Sequence, residues 1–170
     1  MTRFLTSVTS SLCLTALVAG TALADDRADV QARVDAVYAV ISGPVGEARD
    51  FDAMRAMFVP GAVMGAVSPG PDGTGQGGTF SVDGYIERAS SFLIDNGFTE
   101  RATRTDLTVY GEIAYVRSAY EGVSGLTGET VVSGVNFFTL FKVEGDWQVA
   151  SLLWRAATDD MPVDLAFESE

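Results

Sequence analysis

The amino-acid sequence predicts an α+β fold in which three N-terminal helices pack into an antiparallel sheet. Up to residue 97, apolar side chains recur with the period of about 3.6 residues that is typical of amphipathic helices. From Phe98 onward the period changes to two, as expected of strands that place alternate side chains on opposite faces. Neither an internal repeat nor a linker interrupts the chain, so the sequence predicts one domain.

Residues 1–24 have the three parts of a cleavable secretory signal peptide. Arg3 supplies the positive charge, residues 12–18 form a short apolar segment, and residues 22–24 provide the small side chains of a cleavage site. The apolar segment is too short for a permanent anchor, which needs about 20 apolar residues. We therefore expect cleavage after Ala24 and a periplasmic or secreted protein with no membrane attachment.

Loss of this segment limits the chemistry that the chain can perform. Cys13 is the single cysteine and is removed with the signal, and the sequence contains no histidine. Disulfides, thiol nucleophiles, histidine-dependent triads and the usual zinc or iron sites are therefore excluded, and no cofactor is expected. Without Arg3 the chain has ten basic and 23 acidic residues, and its net charge of −13 disfavours binding to nucleic acid.

The three helices are predicted from apolar stripes and from their end signals. The second helix spans residues 50–58, with Asp50 as its N-cap and residues 60–61 as its stop. The third begins after Ser81, which can act as a cap, and ends at residues 96–97. The first helix spans residues 27–42, and its stripe consists of Val30, Val34, Val37, Tyr38 and Ile41.

Between the second and third helices the sequence predicts a short strand and a long loop. The strand spans residues 62–67, and the Gly- and Pro-rich residues 68–79 are predicted to form either a lid or a plain surface loop. This segment faintly resembles a calcium-binding loop, but Thr74 and Gln76 are poor ligands and no bidentate Glu follows them. No metal site is therefore expected.

The second half of the chain predicts four strands, and the last two are apolar on both faces. An antiparallel sheet with one wet face would alternate apolar with polar residues, so both faces are expected to be covered. The helices can cover one face, and a second copy of the chain, in a homodimer through the sheet, can cover the other. Alternatively the acidic tail, residues 159–170, folds back over that face instead of fraying. The strands span residues 98–110, 113–122, 130–143 and 147–156, with turns at 111–112 and 144–146.

The order and spacing of several segments resemble a known superfamily. The segments are residues 37–38, 50–58, 61–63, 110–116, 118–121, 134–138 and 145–149, with Trp154. Together they resemble the nuclear transport factor 2-like superfamily in its SnoaL-like branch, over nearly all of residues 28–156. The resemblance implies a domain over residues 25–158 with a cone-shaped fold, in which three helices are wrapped by a curved antiparallel sheet, usually as a dimer. It implies no activity, because the superfamily contains enzymes and non-catalytic binding domains.

The catalytic residues of known enzymes in this superfamily are not found in the sequence. The general base of a ketosteroid isomerase would fall near Ala66, and scytalone dehydratases need histidines. The Asp-Arg-Asp trio of limonene epoxide hydrolases cannot be placed. We therefore expect a protein that binds a small apolar or amphipathic molecule in a cone-shaped pocket. A lyase, isomerase or hydrolase that uses a carboxylate and a Tyr is one alternative, and a non-catalytic dimeric interaction module is the other.

Polar residues on the predicted inner faces are the candidates for lining the pocket. Asn136 lies on a largely apolar strand, where it can orient a ligand oxygen or be satisfied by backbone. Glu100 and Arg104 are four residues apart on one strand and hence on one face, either as base and anion holder or as an exposed ion pair. The full set is Tyr38, Glu100, Arg104, Tyr120, Asn136 and Trp154.

Three aromatic candidates are interpreted from helix periodicity or strand parity. Tyr38 can donate its hydroxyl into the cavity from the first helix, or it can be core with a wetted tip. Tyr120 and its neighbour in the chain face opposite sides, so at most one of them lines the cavity. The same parity places Trp147 and Trp154 on opposite faces, one in the cone and the other at the dimer sheet.

Overall fold

The computed structural model describes residues 14–70 and 72–168, with side chains from residue 25 onward. The predicted signal peptide falls partly on residues outside this range, so its cleavage stays a prediction. Within the described residues, no helix combines the length and the apolar character needed to cross a membrane.

The chain folds into a six-stranded sheet with helices on one face. The strand order is β2-β1-β6-β5-β4-β3, and all neighbours are antiparallel except β1 and β6, which are parallel. The helices are α1 (Leu14–Ile41), α2 (Phe51–Ala56) and α3 (Val82–Asn96). The strands are β1 (Phe58–Pro69), β2 (Gly75–Phe80), β3 (Phe98–Tyr110), β4 (Ile113–Ser124), β5 (Thr130–Val143) and β6 (Asp146–Ala156), followed by a 3-10 turn at Val163–Ala166.

The α+β class is confirmed, and the strand predicted between the second and third helices is present as part of β1, so the three helices do not all precede the sheet. Strands β1 and β2 separate α2 from α3 along the chain. The second helix is shorter than predicted because Phe58, which fits a helical stripe, is already the first residue of β1. Pro60 and Gly61 do not stop the helix. They lie inside β1, where Gly61 has a φ of 81° and the pairing with β6 shifts register.

The prediction that residues 68–79 form a loop is only partly correct. Residues 75–80 form β2, an edge strand that pairs with β1 from Met64 to Pro69. Glycine weakens strands in general, which is why the sequence suggests a loop here. A side chain on Gly77 would collide with the carbonyl oxygen of Ala66, so the close approach of these two strands requires glycine at this position.

The predicted caps and the four C-terminal strands are confirmed. Asp50 accepts a hydrogen bond from the Ala53 amide at 2.9 Å, and Ser81 accepts one from the Gly84 amide at 3.1 Å. Gly97 ends α3 with a φ of 62°. Strands β3 to β6 begin and end within two residues of the predicted bounds.

The core lies between the helices and the inner face of the sheet. The predicted stripe of α1 is buried, and Val30 and Val34 are fully inaccessible, as are Met54 of α2 and Phe138 of β5. Burial of a side chain of this size contributes about 1.5–3 kcal/mol. The stripe of α3 is only partly buried, because Phe92 remains half exposed at the end of the cavity described below.

Arg49 ties the ends of two helices together from a buried position in the loop before α2. Its guanidinium donates to the carbonyl oxygens of Ile41 (3.1 Å), Gly43 (2.6 Å) and Leu93 (2.9 Å). Ile41 ends α1 and Leu93 lies in the last turn of α3, so the cation sits where both helix dipoles are negative. No carboxylate lies within 4.0 Å of Arg49 in the part of the chain that the structure describes.

The C-terminal residues 157–168, which we call the strap, fold back over the outer face of the sheet. Arg117 of β4 donates to the Ala166 carbonyl oxygen at 2.8 Å, and the Phe167 ring lies 4.3 Å from the Arg104 guanidinium. The described part of the tail therefore folds back over this face, where residues 163–166 form a 3-10 turn, and does not fray. It covers one end of this face, burying Val135.

Candidate functional site

A cavity of about 440 Å³ lies between the helices and the inner face of the sheet. Most of its wall is apolar, and its volume is typical of small-molecule pockets, which span roughly 300–1,000 Å³. The structure brings five of the six candidate residues together on this wall: Tyr38, Glu100, Tyr120, Asn136 and Trp154.

Arg104 lies on the other side of the sheet, so its predicted pairing with Glu100 is wrong. The ladder between β3 and β4 shifts register between Ala102 and Arg104, which leaves Thr103 as the extra residue of a bulge. A bulge reverses the alternation of side chains beyond it. Glu100 therefore faces the cavity, while Arg104 faces outward beside the strap.

A second bulge changes the placement of the tryptophans. The ladder between β5 and β6 shifts at Ala150, so Trp147 and Trp154 share the inner face instead of lying on opposite faces. Trp154 lines the cavity and meets the Tyr85 ring edge-on, with 6.1 Å between ring centres. Trp147 is core beside the middle of α1, where its indole N–H donates to Asp26. Tyr120 faces inward and its neighbour in the chain faces outward, as strand alternation predicts.

The floor of the cavity is a chain of side-chain hydrogen bonds that leads to Glu100. The Tyr38 hydroxyl donates to Ser118 Oγ at 2.7 Å, and Asn136 Nδ2 donates to the Tyr38 oxygen at 3.0 Å and to Glu100 Oε1 at 3.1 Å. Asn136 is thus satisfied by side chains and not by backbone. Of the two alternatives for Tyr38, donation into the cavity is wrong, because its hydroxyl donates to Ser118 and the residue is buried core. Ser42 Oγ also accepts from the Glu100 amide at 2.9 Å, which fixes the strand locally.

Burial controls the electrostatics of this chain. It raises the pKa of Glu100 to about 7, against the opposing effect of the hydrogen bond from Asn136. Burial also raises the pKa of Tyr38 to about 12, so this phenol stays protonated near neutral pH. None of the described residues that line the cavity is a Lys or Arg, so nothing cationic there offsets the cost of ionising Glu100.

Two further tyrosines present hydroxyl groups to the cavity. Burial raises the pKa of Tyr85 and of Tyr120, and the nearby Glu100 charge raises both further. Within the described residues, neither hydroxyl makes a hydrogen bond to protein, although Tyr120 is almost fully buried. From the sequence, helix periodicity indicates only that Tyr85 belongs to the apolar stripe of α3. Ser118 is not among the candidates, although it lies two residues before Tyr120 on the same face of β4.

Among the described residues there is no group of three or more Asp, Glu, His or Cys side chains that could hold a metal ion. The chemistry that the arrangement supports is therefore carried by one carboxyl group and by phenol hydroxyls. A carboxyl group that titrates near neutral pH can accept and return a proton. A phenol can donate a hydrogen bond to a ligand oxygen.

Comparison with known proteins identifies the fold. The sequence matches no protein-family model and no curated protein. Among solved structures, it is similar to a nuclear transport factor 2-like protein with a cystatin-like fold from Novosphingobium aromaticivorans, with a TM-score of 0.71, 15% identity, and 94% and 100% of the two chains covered. A proposed scytalone dehydratase from the same organism gives a TM-score of 0.60 at 19% identity, covering 82% and 89% of the chains.

A proposed dehydratase of the nuclear transport factor 2-like family from Streptomyces avermitilis is similar over 79% of this chain and 97% of its own, with a TM-score of 0.59 and 18% identity. Sequence identities this low identify a shared fold but not a shared activity. The chain has the nuclear transport factor 2-like fold.

Proposed function

We propose that the protein binds a small, mostly apolar molecule that carries a carbonyl or hydroxyl oxygen, and that Glu100 transfers a proton on it. The reaction class is that of an isomerase or lyase. The observation that carries this proposal is a buried carboxyl group whose pKa is raised to about 7 on an apolar wall. Near neutral pH such a group populates both protonation states, as a proton-transfer catalyst requires.

The surrounding residues support this role. Asn136 holds one oxygen of Glu100 at 3.1 Å, which leaves the second oxygen for the ligand. The hydroxyls of Tyr85 and Tyr120 can donate to a ligand oxygen and stabilise negative charge that develops there. Two of the solved structures with this fold are proposed dehydratases. Dehydration also requires the transfer of a proton, so this similarity is consistent with the proposal.

The test is exchange of carbon-bound hydrogen for deuterium in a panel of apolar ketones, followed by NMR in D₂O. The Glu100→Gln variant keeps the shape of the side chain but cannot accept a proton, so we expect exchange at least about 100-fold slower than in the wild type. Exchange by the wild type should rise with pH through about 7 as Glu100 ionises. Glu121→Gln is the matched control, because Glu121 faces outward and pairs with Arg101. Equal rates for Glu100→Gln and wild type would show that Glu100 is not the base.

A second candidate function is binding without chemistry. It is favoured by the hydrogen bonds among Tyr38, Ser118 and Asn136, which satisfy the floor of the cavity without a ligand. Ligand binding without exchange in the experiment above would support it. A pure interaction module is less favoured, because its interior would be expected to be filled and the cavity of about 440 Å³ is not.

We also propose that a second copy of the chain covers the part of the outer face that the strap leaves open. Three large apolar side chains on this part of the face, Tyr115, Phe141 and Leu153, are 40–45% exposed, and exposed apolar patches often mark interaction surfaces. We expect a dimer in sedimentation equilibrium, and dissociation to a monomer on Phe141→Glu. Leu126→Glu is the control, because Leu126 is exposed in the β4–β5 turn. A wild type that sediments as a monomer would refute the dimer.

A further inference from the structure

A second and smaller cavity lies on the outer face, beneath the strap. Its volume is about 230 Å³, below the roughly 300–1,000 Å³ of most ligand pockets, so it suits a small molecule. Val135 and Phe137 of β5 form its floor, and Met161 and Leu165 of the strap form its roof. These floor residues alternate with Asn136, which faces the larger cavity, so the sheet separates the two cavities.

The strap is held at both ends by contacts with the rest of the chain, so the cavity beneath it is pre-formed. At one end the Ala157 amide donates to the Ser133 carbonyl oxygen at 2.8 Å and continues the pairing of β6 with β5. At the other end the Ala166 carbonyl accepts from Arg117, and Phe167 lies beneath the guanidinium groups of the outer face. A pre-formed cavity binds a ligand without the entropic cost of ordering its roof.

Arg155 is the one charged side chain among the described residues that line this cavity. It is half buried, and one of its N–H groups donates to the Ala156 carbonyl at 3.0 Å. No carboxylate of the described chain lies within 4.0 Å of it, so its charge has no ion-pair partner there. The other arginines of the outer face do have such partners: Arg101 with Glu121, Arg104 with Asp164, and Arg117 with Asp106.

We propose that the cavity under the strap is a second binding site, specific for a small carboxylate with an apolar body. The carboxylate would pair with the Arg155 guanidinium, whose planar fork suits the two oxygens. The body would pack between Phe137 and the strap residues Met161 and Leu165. This site is independent of the function proposed for the larger cavity, because it shares neither the carboxyl group nor the phenols that act there.

The test uses benzoate as the probe and residue-resolved NMR of the full chain. We expect saturable shifts at Val135, Phe137 and Leu165, and affinity at least about tenfold weaker in Arg155→Gln. Arg88→Gln is the matched control, because it removes the same charge from α3, where Arg88 lies over the Phe80 ring. Benzamide has the same shape without the charge, and it should bind wild type at least about tenfold more weakly than benzoate does.

Several outcomes would overturn the proposal. They are equal affinity of Arg155→Gln and wild type for benzoate, equal binding of benzamide and benzoate, or no shift at the named residues. Shifts at Met64 and Phe138 in their place would assign the probe to the larger cavity. Shifts that follow protein concentration and not benzoate would assign this surface to a second copy. The comparison of benzamide with benzoate uses wild type alone, so it decides the question even if Arg155→Gln fails to fold.

Discussion

Replacement of Arg49 by alanine is expected to lower the free energy of unfolding by about 3–5 kcal/mol. The side chain is buried, and its guanidinium donates to the carbonyl oxygens of Ile41, Gly43 and Leu93. The Gly43 carbonyl also accepts from the Phe98 amide, so it keeps one donor without Arg49. Each carbonyl that loses its donor inside the protein costs about 1–3 kcal/mol, reduced where water can replace the donor. The loss would also release the end of α1 from the end of α3, and these two helices frame the cavity.

Urea denaturation measures this effect, with a lower midpoint and an unchanged slope as the expected signature. Arg55→Ala is the control, because Arg55 is half exposed in its ion pairs with Asp52 and Asp83, and such pairs contribute at most about 1 kcal/mol. Arg49→Lys should fall between the two, since an ammonium group keeps the charge but cannot reach several carbonyls in one plane. A loss no larger than that of Arg55→Ala would mean that water replaces the guanidinium.

The contacts of Arg49, and hence its contribution to stability, could not be predicted from the sequence. Its partners are backbone carbonyls, which every residue has, so no pattern of side chains marks them. The four C-terminal strands, in contrast, are signalled by alternation over ten or more residues and by turn residues such as Gly111 and Gly145, whose φ angles are positive. A long periodic pattern therefore predicts a helix or strand well, whereas a contact between segments that are distant in the sequence leaves no local pattern.

The side chains that line the cavity could likewise be predicted only in part. Parity separates Tyr120 from Glu121 without deciding which of them faces inward, and the structure places Tyr120, together with Asn136, on the cavity wall. Parity failed for Arg104 and for Trp147, because Thr103 and Ala150 each add one residue to a strand. A bulge is decided by the partner strand, so one strand's sequence does not reveal it.

Substitution of Glu100 by glutamine is expected to stabilise the protein by about 3 kcal/mol near pH 8, and by little near pH 4. The folded-state pKa of Glu100 is about 7, against an ordinary value of 4.5. Between these values the folded protein retains a proton that the unfolded chain releases, so wild-type stability falls as the pH rises through this window. Gln is neutral at every pH and can still accept the hydrogen bond from Asn136, so the variant lacks this loss.

The measurement is the difference in unfolding free energy between Glu100→Gln and wild type across pH 4 to 8. All other titrating groups are common to both proteins, so their contributions cancel in the difference. Glu121→Gln controls for the removal of one negative charge from an acidic chain, and it should not gain stability as the pH rises. If Glu100→Gln showed a constant difference or a loss at pH 8, the carboxyl group would be well solvated. A solvated Glu100 would have an ordinary pKa, and the proposed proton transfer would lose its physical basis.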